Sequence, residues 1–335
     1  MNGTDKPTRS GGPVIIFGEA LIDAFGEQQI PGGAPYNVAC HLAALGLRPW
    51  LITRLGEDAG ATRLRNQAAR FGLETRGVQC DPYYPTGRVD IHENSGGHDF
   101  EISPQQAYDF IDTHEALQQL PAYWHPVKPD PAPWLYFGTL ALRSAYAREQ
   151  FVQLRQTLRH RAFVDLNWRS GQIDPAHVLQ LLKHIDILKL NVDELALLLN
   201  WFNLPSRRAA KLPATSQQCK EIDTLLQNTG TRRLIVTHGS EGTAIWNQHG
   251  TCLAVEAGIP TTIIDTVGAG DAVAAIWLAG LGLGWSETDT LQRGNRFAAA
   301  ICALHGATPE HLAFYHCWQQ RWELPQPTTT PSPVM

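Results

Sequence analysis

Residues 265–284 read DTVGAGDAVAAIWLAGLGLG, a Gly-Ala-Gly turn that lies between two aspartates and is followed by a long apolar run. The apolar run predicts a buried helix that begins at this turn. The first N–H groups of a helix have no intrahelical partner, and the helix dipole adds partial positive charge there. Because small residues let a bulky anion approach, Gly268, Ala269 and Gly270 predict an anion hole.

Asp271 follows this turn directly and lies in the first turn of the predicted helix. One interpretation is structural: an acid at a helix start acts as a cap. The other is chemical, because phosphoryl transfer to an alcohol needs a carboxylate that accepts the hydroxyl proton, beside N–H groups that hold the transferring charge. The residues of this stretch leave both interpretations open.

Other nucleotide-binding patterns do not occur in the sequence. It contains no GxxxxGKS or GxxxxGKT, which excludes a Walker-type phosphate loop. The first predicted strand, residues 14–23, is not followed by the GxGxxG turn of a dinucleotide-binding fold. A dehydrogenase is therefore disfavoured.

The rest of the chain alternates between short β-type runs and helical patterns, which favours an α/β fold with a parallel sheet covered by helices on both faces. The predicted strands are residues 14–23, 49–56, 134–140, 162–167, 186–191 and 233–239. The predicted helices between them are residues 37–45, 61–71, 144–160, 175–184, 192–200 and 216–229.

Two segments interrupt this alternation. In residues 86–102, alternate apolar positions on either side of a turn predict a hairpin, and a hairpin inserted in an α/β chain tends to cover a site. Residues 203–216 have the composition of a surface insertion, to which we assign no role. We therefore predict one domain over residues 13–324, with disordered tails at 1–12 and 325–335.

Composition limits the classes of partner. The 335 residues carry a net charge of −5 and no basic stripe, which argues against a nucleic-acid partner. The N-terminus lacks the apolar region of a signal peptide, and the longest apolar run is shorter than a membrane span. Six cysteines without CxxC spacing favour reduced thiols. The sequence thus predicts a cytoplasmic protein without a membrane or nucleic-acid partner.

A second informative stretch is PGGAPYN, residues 31–37. It is explained in part as a glycine turn before a helix, with Asn37 in the first helical turn. In an open parallel sheet, however, ligands bind beyond the carboxyl ends of the strands, which favours Asp23, Asn167, Asn191 and Thr237 as site residues. Together with Asp23, the groups around Asn37 offer the donors and acceptors that a polyol requires.

These motifs resemble the ribokinase/fructokinase (PfkB-type) family of sugar kinases, and among them the fructokinases most. The similar segments lie in the family's order: GEALID (18–23), GGAPYNVACHLAALG (32–46), PTGRVDIH (85–92), FGTLALRS (137–144), DLNWR (165–169), LNVDE (190–194), VTHGSEGT (236–243) and DTVGAGDAVAA (265–275). The resemblance implies a ribokinase-like three-layer α/β/α domain with a mainly parallel central sheet. It also implies a small β-lid formed by about residues 24–31 and 86–102.

The resemblance also implies roles for residues on the acceptor side of the site. Asp271 would be the general base, and the backbone N–H groups of Ala269, Gly270 and Asp271, with Gly268 shaping the turn, would form the anion hole. Four further residues would bind the substrate, with the arginine reaching sugar or phosphate: Asp23, Gly33, Asn37 and Arg169.

On the nucleotide side, Asn191 and Glu194 match the family's N-x-x-E motif, whose glutamate helps to order Mg²⁺ through water. The same spacing also satisfies a helix capping box. The resemblance assigns the nucleotide loop to Thr237, Gly239 and Gly242, an adenine contact to Asn295, and a monovalent-cation site, often potassium, to Asp265.

The activity that the resemblance implies is ATP-dependent phosphorylation of D-fructose to fructose 6-phosphate, with ATP and Mg²⁺ as cofactors and K⁺ as a further ion. Kinases of 2-keto-3-deoxygluconate and other sugars share the same motifs, so another sugar or sugar acid is an alternative. A different class of protein, a catalytically silent regulator that binds sugar or nucleotide, is a second alternative. A homodimer that pairs lid strands is a further expectation from the family.

Overall fold

The structure is a computed structural model of the chain. It describes residues 13–94, 97–120, 132–205, 215–248, 252–255 and 262–324. The predictions about the tails, residues 1–12 and 325–335, lie outside the described residues, as does most of the 203–216 insertion.

Strands and helices alternate along the described part of the chain. The strands are β1 (Val14–Phe17), β2 (Leu21–Phe25), β3 (Gln28–Gly32), β4 (Trp50–Gly56), β5 (Val78–Asp81), β6 (Gly87–Asn94), β7 (Gly97–Ile102), β8 (Trp134–Phe137), β9 (Arg161–Asp165), β10 (Ile187–Asn191), β11 (Arg233–Thr237), β12 (Thr243–Asn247) and β13 (Cys252–Val255). The α-helices are α1 (Ala34–Ala44), α2 (Ala59–Phe71), α3 (Thr113–Gln118), α4 (Ala145–Thr157), α5 (Pro175–Leu181), α6 (Val192–Trp201), α7 (Ser216–Thr229), α8 (Ala269–Leu283), α9 (Glu287–Ile301) and α10 (Ala313–Trp322).

The main sheet has the strand order β13-β12-β11-β10-β9-β8-β1-β4-β5. All neighbours from β11 to β5 pair in parallel, whereas β11–β12 and β12–β13 pair antiparallel. Strands such as VIIF (β1) and WLYF (β8) are buried at every position, as expected for strands that helices cover on both faces. The predicted mainly parallel sheet is therefore confirmed.

Two helix layers cover this sheet, and the direction of alternate side chains in a strand explains why both faces are apolar. Val14 and Ile16 pack into a cluster that includes residues of α1, α2, α8, α9 and α10. Ile15 and Phe17 pack into a second cluster with residues of α4, α5, α6 and α7. The predicted three-layer α/β/α architecture is confirmed.

A second sheet has the strand order β3-β2-β6-β7 and is called the lid sheet below. Its two hairpins pair antiparallel, and β2 joins them by parallel pairing with β6, in which Asp23 lies opposite Val89. The predicted single strand 14–23 is therefore wrong, because the chain leaves the main sheet after Phe17 and enters the lid sheet at Leu21. The break occurs at Gly18, whose φ of 154° and contact with Pro35 exclude a side chain.

Several other predicted boundaries shift by a few residues. The strands predicted to reach 140 and 239 end at Phe137 and Thr237, and each is followed by a short 3-10 turn. The helix predicted from residue 61 begins at Ala59, because Asp58 caps it by accepting the N–H of Ala61 at 2.9 Å. Asp58 and Gly60 do not contribute to an apolar pattern, so the apolar periodicity starts later than the helix.

No helix in the described residues is long and apolar enough to cross a membrane. The six cysteines are all free thiols, as the sequence predicts.

Candidate active site

The two glycine motifs meet at the N-termini of α1 and α8. Asn37 Nδ2 donates to Asp271 Oδ2 at 2.8 Å, across 234 residues of sequence. Helix α1 begins after Gly33, whose φ of 100° and closeness to the Glu19 carbonyl exclude a side chain. Asn37 lies one turn into this helix because its own N–H donates to Gly33 O at 2.9 Å. The fold therefore brings the predicted sugar-binding turn against the predicted base.

The turn before α8 has the geometry of an anion hole. Gly268 has a left-handed φ of 79°, and a side chain there would run into Ala307. The Ala269 N–H turns back towards Thr266 O at 3.3 Å, and the first regular helical bond joins Ala272 N to Gly268 O at 2.8 Å. Between them, the N–H groups of Gly270 and Asp271 have no partner in the described residues, so these two amides are available to an anion.

The charges around Asp271 adjust its basicity. The pKa of Asp271 is raised to about 6, chiefly by burial and in part by the charge of the nearby Asp165. The hydrogen bond from Asn37 and the charges of Lys189 and Arg169 oppose this rise. A carboxylate with this pKa is mostly ionised at neutral pH and is still a stronger base than an ordinary aspartate, as a general base requires.

Residues predicted to bind sugar surround the same carboxylate. Asp23 is half-buried in β2, and burial raises its pKa to about 6, while the charge of Arg169 lowers it and that of Asp271 raises it. Arg169 follows β9, and its side chain is exposed. Asn37 Oδ1 is buried and has no partner in the described residues. Hydrogen bonds join Gly33, Asn37 and Asp271, and the charges of Arg169 and Asp271 act on Asp23, so these five predicted residues lie near one another.

Four of the five predicted nucleotide residues lie at or just after the carboxyl ends of β10 and β11, and the fifth, Asn295, lies in α9. Asn191 and Thr237 are opposite each other in the parallel pair. A tight turn follows Thr237, with positive φ at Gly239 (56°) and Gly242 (111°), and it is closed by the bond from His238 N to Gly242 O at 2.7 Å. A side chain at Gly239 would meet no atom within 4 Å, so this turn borders open space.

Asn191 and Glu194 form a complete capping box. Asn191 Oδ1 accepts the Glu194 N–H at 2.8 Å, and Glu194 Oε2 accepts the Asn191 N–H at 2.9 Å. Glu194 Oε1 accepts the Trp168 N–H at 2.9 Å, which ties α6 to the loop that carries Arg169. The structural interpretation of the N-x-x-E spacing is therefore confirmed, and the Mg²⁺ role of Glu194 stays a prediction.

Two predicted residues make bonds that support neighbouring loops. Asn295 is buried, and its Oδ1 accepts the Thr243 hydroxyl at 2.6 Å. Asp265 accepts the Val267 N–H through Oδ1 at 2.9 Å and the Gly306 N–H through Oδ2 at 3.0 Å. Within the described residues, no group of three or more His, Cys, Asp or Glu side chains could hold a metal ion. The adenine contact and the monovalent-cation site stay predictions.

A buried ion pair lies beside the anion hole, and the sequence predictions missed it. Lys189 Nζ donates to both oxygens of Asp165 at 2.9 and 2.8 Å, and both side chains are at most 5% exposed. A Cβ added to Gly270 would lie 3.4 Å from Lys189 Nζ. Burial alone would lower the pKa of Lys189, but the charge and hydrogen bonds of Asp165 raise it. The available signal was a charged residue in the apolar strand ILKLN.

Glu19 was also missed. Its side chain is 2% exposed, and its Oε2 has no partner in the described residues. Burial raises its pKa to about 7, against the N–H groups of Glu19 and Ala34 and the charge of Arg169, which lower it. The available signal was an acid between the apolar residues of the segment VIIFGEALID, residues 14–23.

The fold and this site define a class of phosphotransferase. The chain matches the profile of the pfkB family of carbohydrate kinases over residues 13–312. It therefore belongs to this family and is an ATP-dependent sugar kinase.

Individual relatives differ in their sugars. The chain is 26% identical over 295 residues to a fructokinase of Escherichia coli, covering 82% of this chain and 86% of the relative. It is 24% identical over 306 residues to a fructoselysine 6-kinase of Escherichia coli, covering 88% and 98%. The structure of a fructokinase from Xylella fastidiosa with bound ATP superposes with a TM-score of 0.72 at 19% identity, covering 93% of this chain and 99% of that one.

Proposed function

We propose that this chain phosphorylates D-fructose to fructose 6-phosphate, with Asp271 as the general base. The observation that carries the proposal is the bond between Asn37 and Asp271, which brings the predicted sugar-binding turn, the base and the anion-hole amides to one point. A fructokinase of Escherichia coli at 26% identity supports fructose as the acceptor.

The chemistry needs one proton transfer and one phosphoryl transfer. The Asp271 carboxylate accepts the proton of the sugar hydroxyl as the sugar oxygen bonds to the γ-phosphorus of ATP. The bond from that phosphorus to the bridging oxygen breaks, and ADP leaves with the electron pair. The amides of Gly270 and Asp271 hold the charge of the transferring group.

We also propose that the kinase uses an Mg²⁺ ion and a K⁺ ion. The residues proposed to bind the nucleotide are Thr237, Gly239, Gly242 and Asn295. Mg²⁺ would neutralise charge on the phosphates. Asn191 and Glu194 fit it, because each carboxylate oxygen of Glu194 keeps a lone pair beside the one that its N–H donor uses.

Electrostatics favours a neutral sugar over a sugar acid. The charge of Asp271 raises the pKa of both Glu19 and Asp23, and Arg169 is a cation whose charge lowers the pKa of all three carboxyl groups. A carboxylate substrate such as 2-keto-3-deoxygluconate would add a further negative charge to this group. The Asn37 Oδ1 atom, which has no partner in the described residues, offers an acceptor for a sugar hydroxyl.

The test is ADP release with a panel of neutral sugars, amino-substituted sugars and sugar acids. We expect turnover with D-fructose and little with 2-keto-3-deoxygluconate. Asp271→Asn should lower kcat by about 100- to 10,000-fold without weakening ATP binding. Asp289→Asn is the matched control, because Asp289 lies in the first turn of α9 and is exposed.

Two results would contradict the proposal. Near-normal turnover of Asp271→Asn removes the base assignment. Binding of sugar or nucleotide without ADP release for any sugar instead supports the alternative of a silent regulator. Dependence on K⁺ near Asp265, pairing of lid sheets in a homodimer and a cytoplasmic location stay predictions.

A further inference from the structure

Arg143 has no role in the site described above, yet its guanidinium makes four hydrogen bonds. Its Nε and Nη2 donate to the two oxygens of Asp109, each at 2.7 Å. Nη2 also donates to Ser103 O, and Nη1 to Gln172 Oε1, both at 2.7 Å. The side chains of Arg143 and Asp109 are 7% and 2% exposed, so this forked pair is shielded from water.

One arm of this cluster reaches the lid sheet. Asp109 Oδ2 accepts the Gln106 N–H at 2.9 Å. The Gln106 side chain accepts the Arg88 N–H at 3.1 Å and donates to Arg88 O at 2.8 Å. Arg88 lies in β6 opposite Ile22, the residue before Asp23, and Ser103 follows the last residue of β7. The bonds of Arg143 and Asp109 therefore hold both strands of the β6–β7 hairpin at its base.

The other arm reaches the loop after β9. Gln172, which accepts from Arg143, donates its own N–H to Arg169 O at 3.1 Å. That bond closes the turn 169–172, from which the exposed Arg169 side chain extends. The charge of Arg169 lowers the pKa of Asp23, so the two sets of bonds end near two residues that interact electrostatically.

We propose that Arg143 is a positioning residue that couples the base of the lid sheet to the turn that presents Arg169. This inference rests on the proposed function for its link to sugar binding. Arg143 would act by holding the sugar-binding groups in place before the sugar arrives. A small displacement of these groups costs more affinity than the loss of the one hydrogen bond that held them. The competing explanation is a buried ion pair that serves stability alone.

Gln172→Ala separates the two explanations, because it removes the hydrogen bond between Arg143 and Gln172 and keeps the Arg143–Asp109 pair. We expect the KM for sugar to rise about tenfold, with the KM for ATP and the melting temperature nearly unchanged. Gln172→Glu, which keeps an acceptor for Arg143, should restore the sugar KM. Arg143→Lys, which loses the fork, should affect the sugar KM at least as strongly as Gln172→Ala.

Arg54→Lys is the matched control for Arg143→Lys. Arg54 Nε lies 2.7 Å from Asp81 Oδ2 in an ion pair whose side chains are 18% and 2% exposed, and Arg54 Nη1 donates to Phe110 O at 3.1 Å. Among the described residues, Arg54 makes no hydrogen bond to the β6–β7 hairpin or to the 169–172 turn. It should lower stability like Arg143→Lys and leave the sugar KM unchanged. A sugar KM within twofold of wild type in Gln172→Ala overturns the proposal, as does an equal rise in the KM for ATP.

Hydrogen exchange followed by mass spectrometry tests the coupling without any substrate. Gln172→Ala and Arg143→Lys should each raise exchange in both residues 86–107 and residues 166–175, and Arg54→Lys in neither. Faster exchange in only one of the two segments of Gln172→Ala overturns the coupling. If the sugar panel gives no turnover, the proposed function fails on that result, whereas this inference is decided by the exchange data.

Discussion

The Glu19 carboxyl shows how strongly one residue of this site departs from its ordinary chemistry. Burial raises its pKa from 4.5 to about 7, although two backbone N–H groups and Arg169 act in the opposite direction. The folded protein therefore holds a proton on Glu19 that the unfolded chain releases above pH 4.5. The stability that this group contributes is present below that pH and is lost as the pH rises through about 7.

We expect Glu19→Gln to stabilise the protein at pH 8 by at most about 3 kcal/mol, because the amide needs no deprotonation and keeps an acceptor oxygen. The gain should shrink as the pH falls towards 5. Urea unfolding of variant and wild type from pH 5 to 8.5 measures it, since other titrating groups cancel in the difference. A difference that is constant with pH, or largest at acidic pH, contradicts this account of Glu19.

Individual site residues could be predicted from the sequence where they lie in a motif. Asp271 and Asn37 were predicted from glycine turns before helices, and both lie at the cleft. Lys189 and Asp165 were not predicted, because a charge in an apolar strand does not say which residue of another strand will neutralise it. Only the parallel pairing of β9 with β10, which sets Lys189 opposite Asp165, brings them together.

Helix α8 carries left-handed glycines at both ends, and they differ in what surrounds them. Gly268 before the helix has φ 79°, and an added Cβ would collide with Ala307. Gly284 after the helix has φ 70°, and an added Cβ would meet nothing within 4 Å. The two positions therefore separate the cost of backbone strain from the cost of a steric clash.

We expect Gly284→Ala to cost about 1 kcal/mol of unfolding free energy, from the left-handed backbone alone. Gly268→Ala should cost about 2 to 4 kcal/mol, because the clash with Ala307 adds to that strain. Gly268→Ala should also lower kcat strongly, since the helix start shifts away from Ala307 and moves the Gly270 and Asp271 amides. Denaturant unfolding and ADP release measure both effects. Equal losses of stability, or unchanged kcat in Gly268→Ala, would show that this turn is not constrained as described.

At the scale of elements, apolar patterns predicted the strands β1, β4 and β6 to β11, missed β3, β5, β12 and β13, and misassigned β2. The run VIIFGEALID continues in apolar character through Gly18, so it predicts one strand. The break depends on Pro35 lying against Gly18 and on β6, which pairs with β2 from more than 60 residues away. Neither contact has a local signal, and so the sequence assigned Asp23 to the main sheet instead of the lid sheet.

The whole molecule joins distant parts of the chain at helix α1. The Asn37–Asp271 bond ties its N-terminal part to α8 at the cleft. At the opposite end, Gln319 Nε2 donates to Ala44 O at 2.9 Å, across 275 residues, and ties the helix to α10. Both bonds are long-range amide contacts to one helix, but only the first lies in the proposed sugar site.

Binding to such a site stabilises the entire fold, because the unfolded chain has no cleft. A sugar at about 100 times its Kd should add about 2.7 kcal/mol to the unfolding free energy, and nucleotide should do the same at its own site. In Asn37→Leu we expect the sugar-induced rise in melting temperature to disappear and the nucleotide-induced rise to remain. Gln319→Leu should lose about 1 to 2 kcal/mol of stability and keep the rise in melting temperature with sugar and with nucleotide.

The measurement is thermal unfolding of wild type and the two variants with D-fructose, with a non-hydrolysable ATP analogue and with neither. A sugar-induced rise that survives in Asn37→Leu, or one that vanishes in Gln319→Leu, means that the sugar does not bind where α1 meets α8.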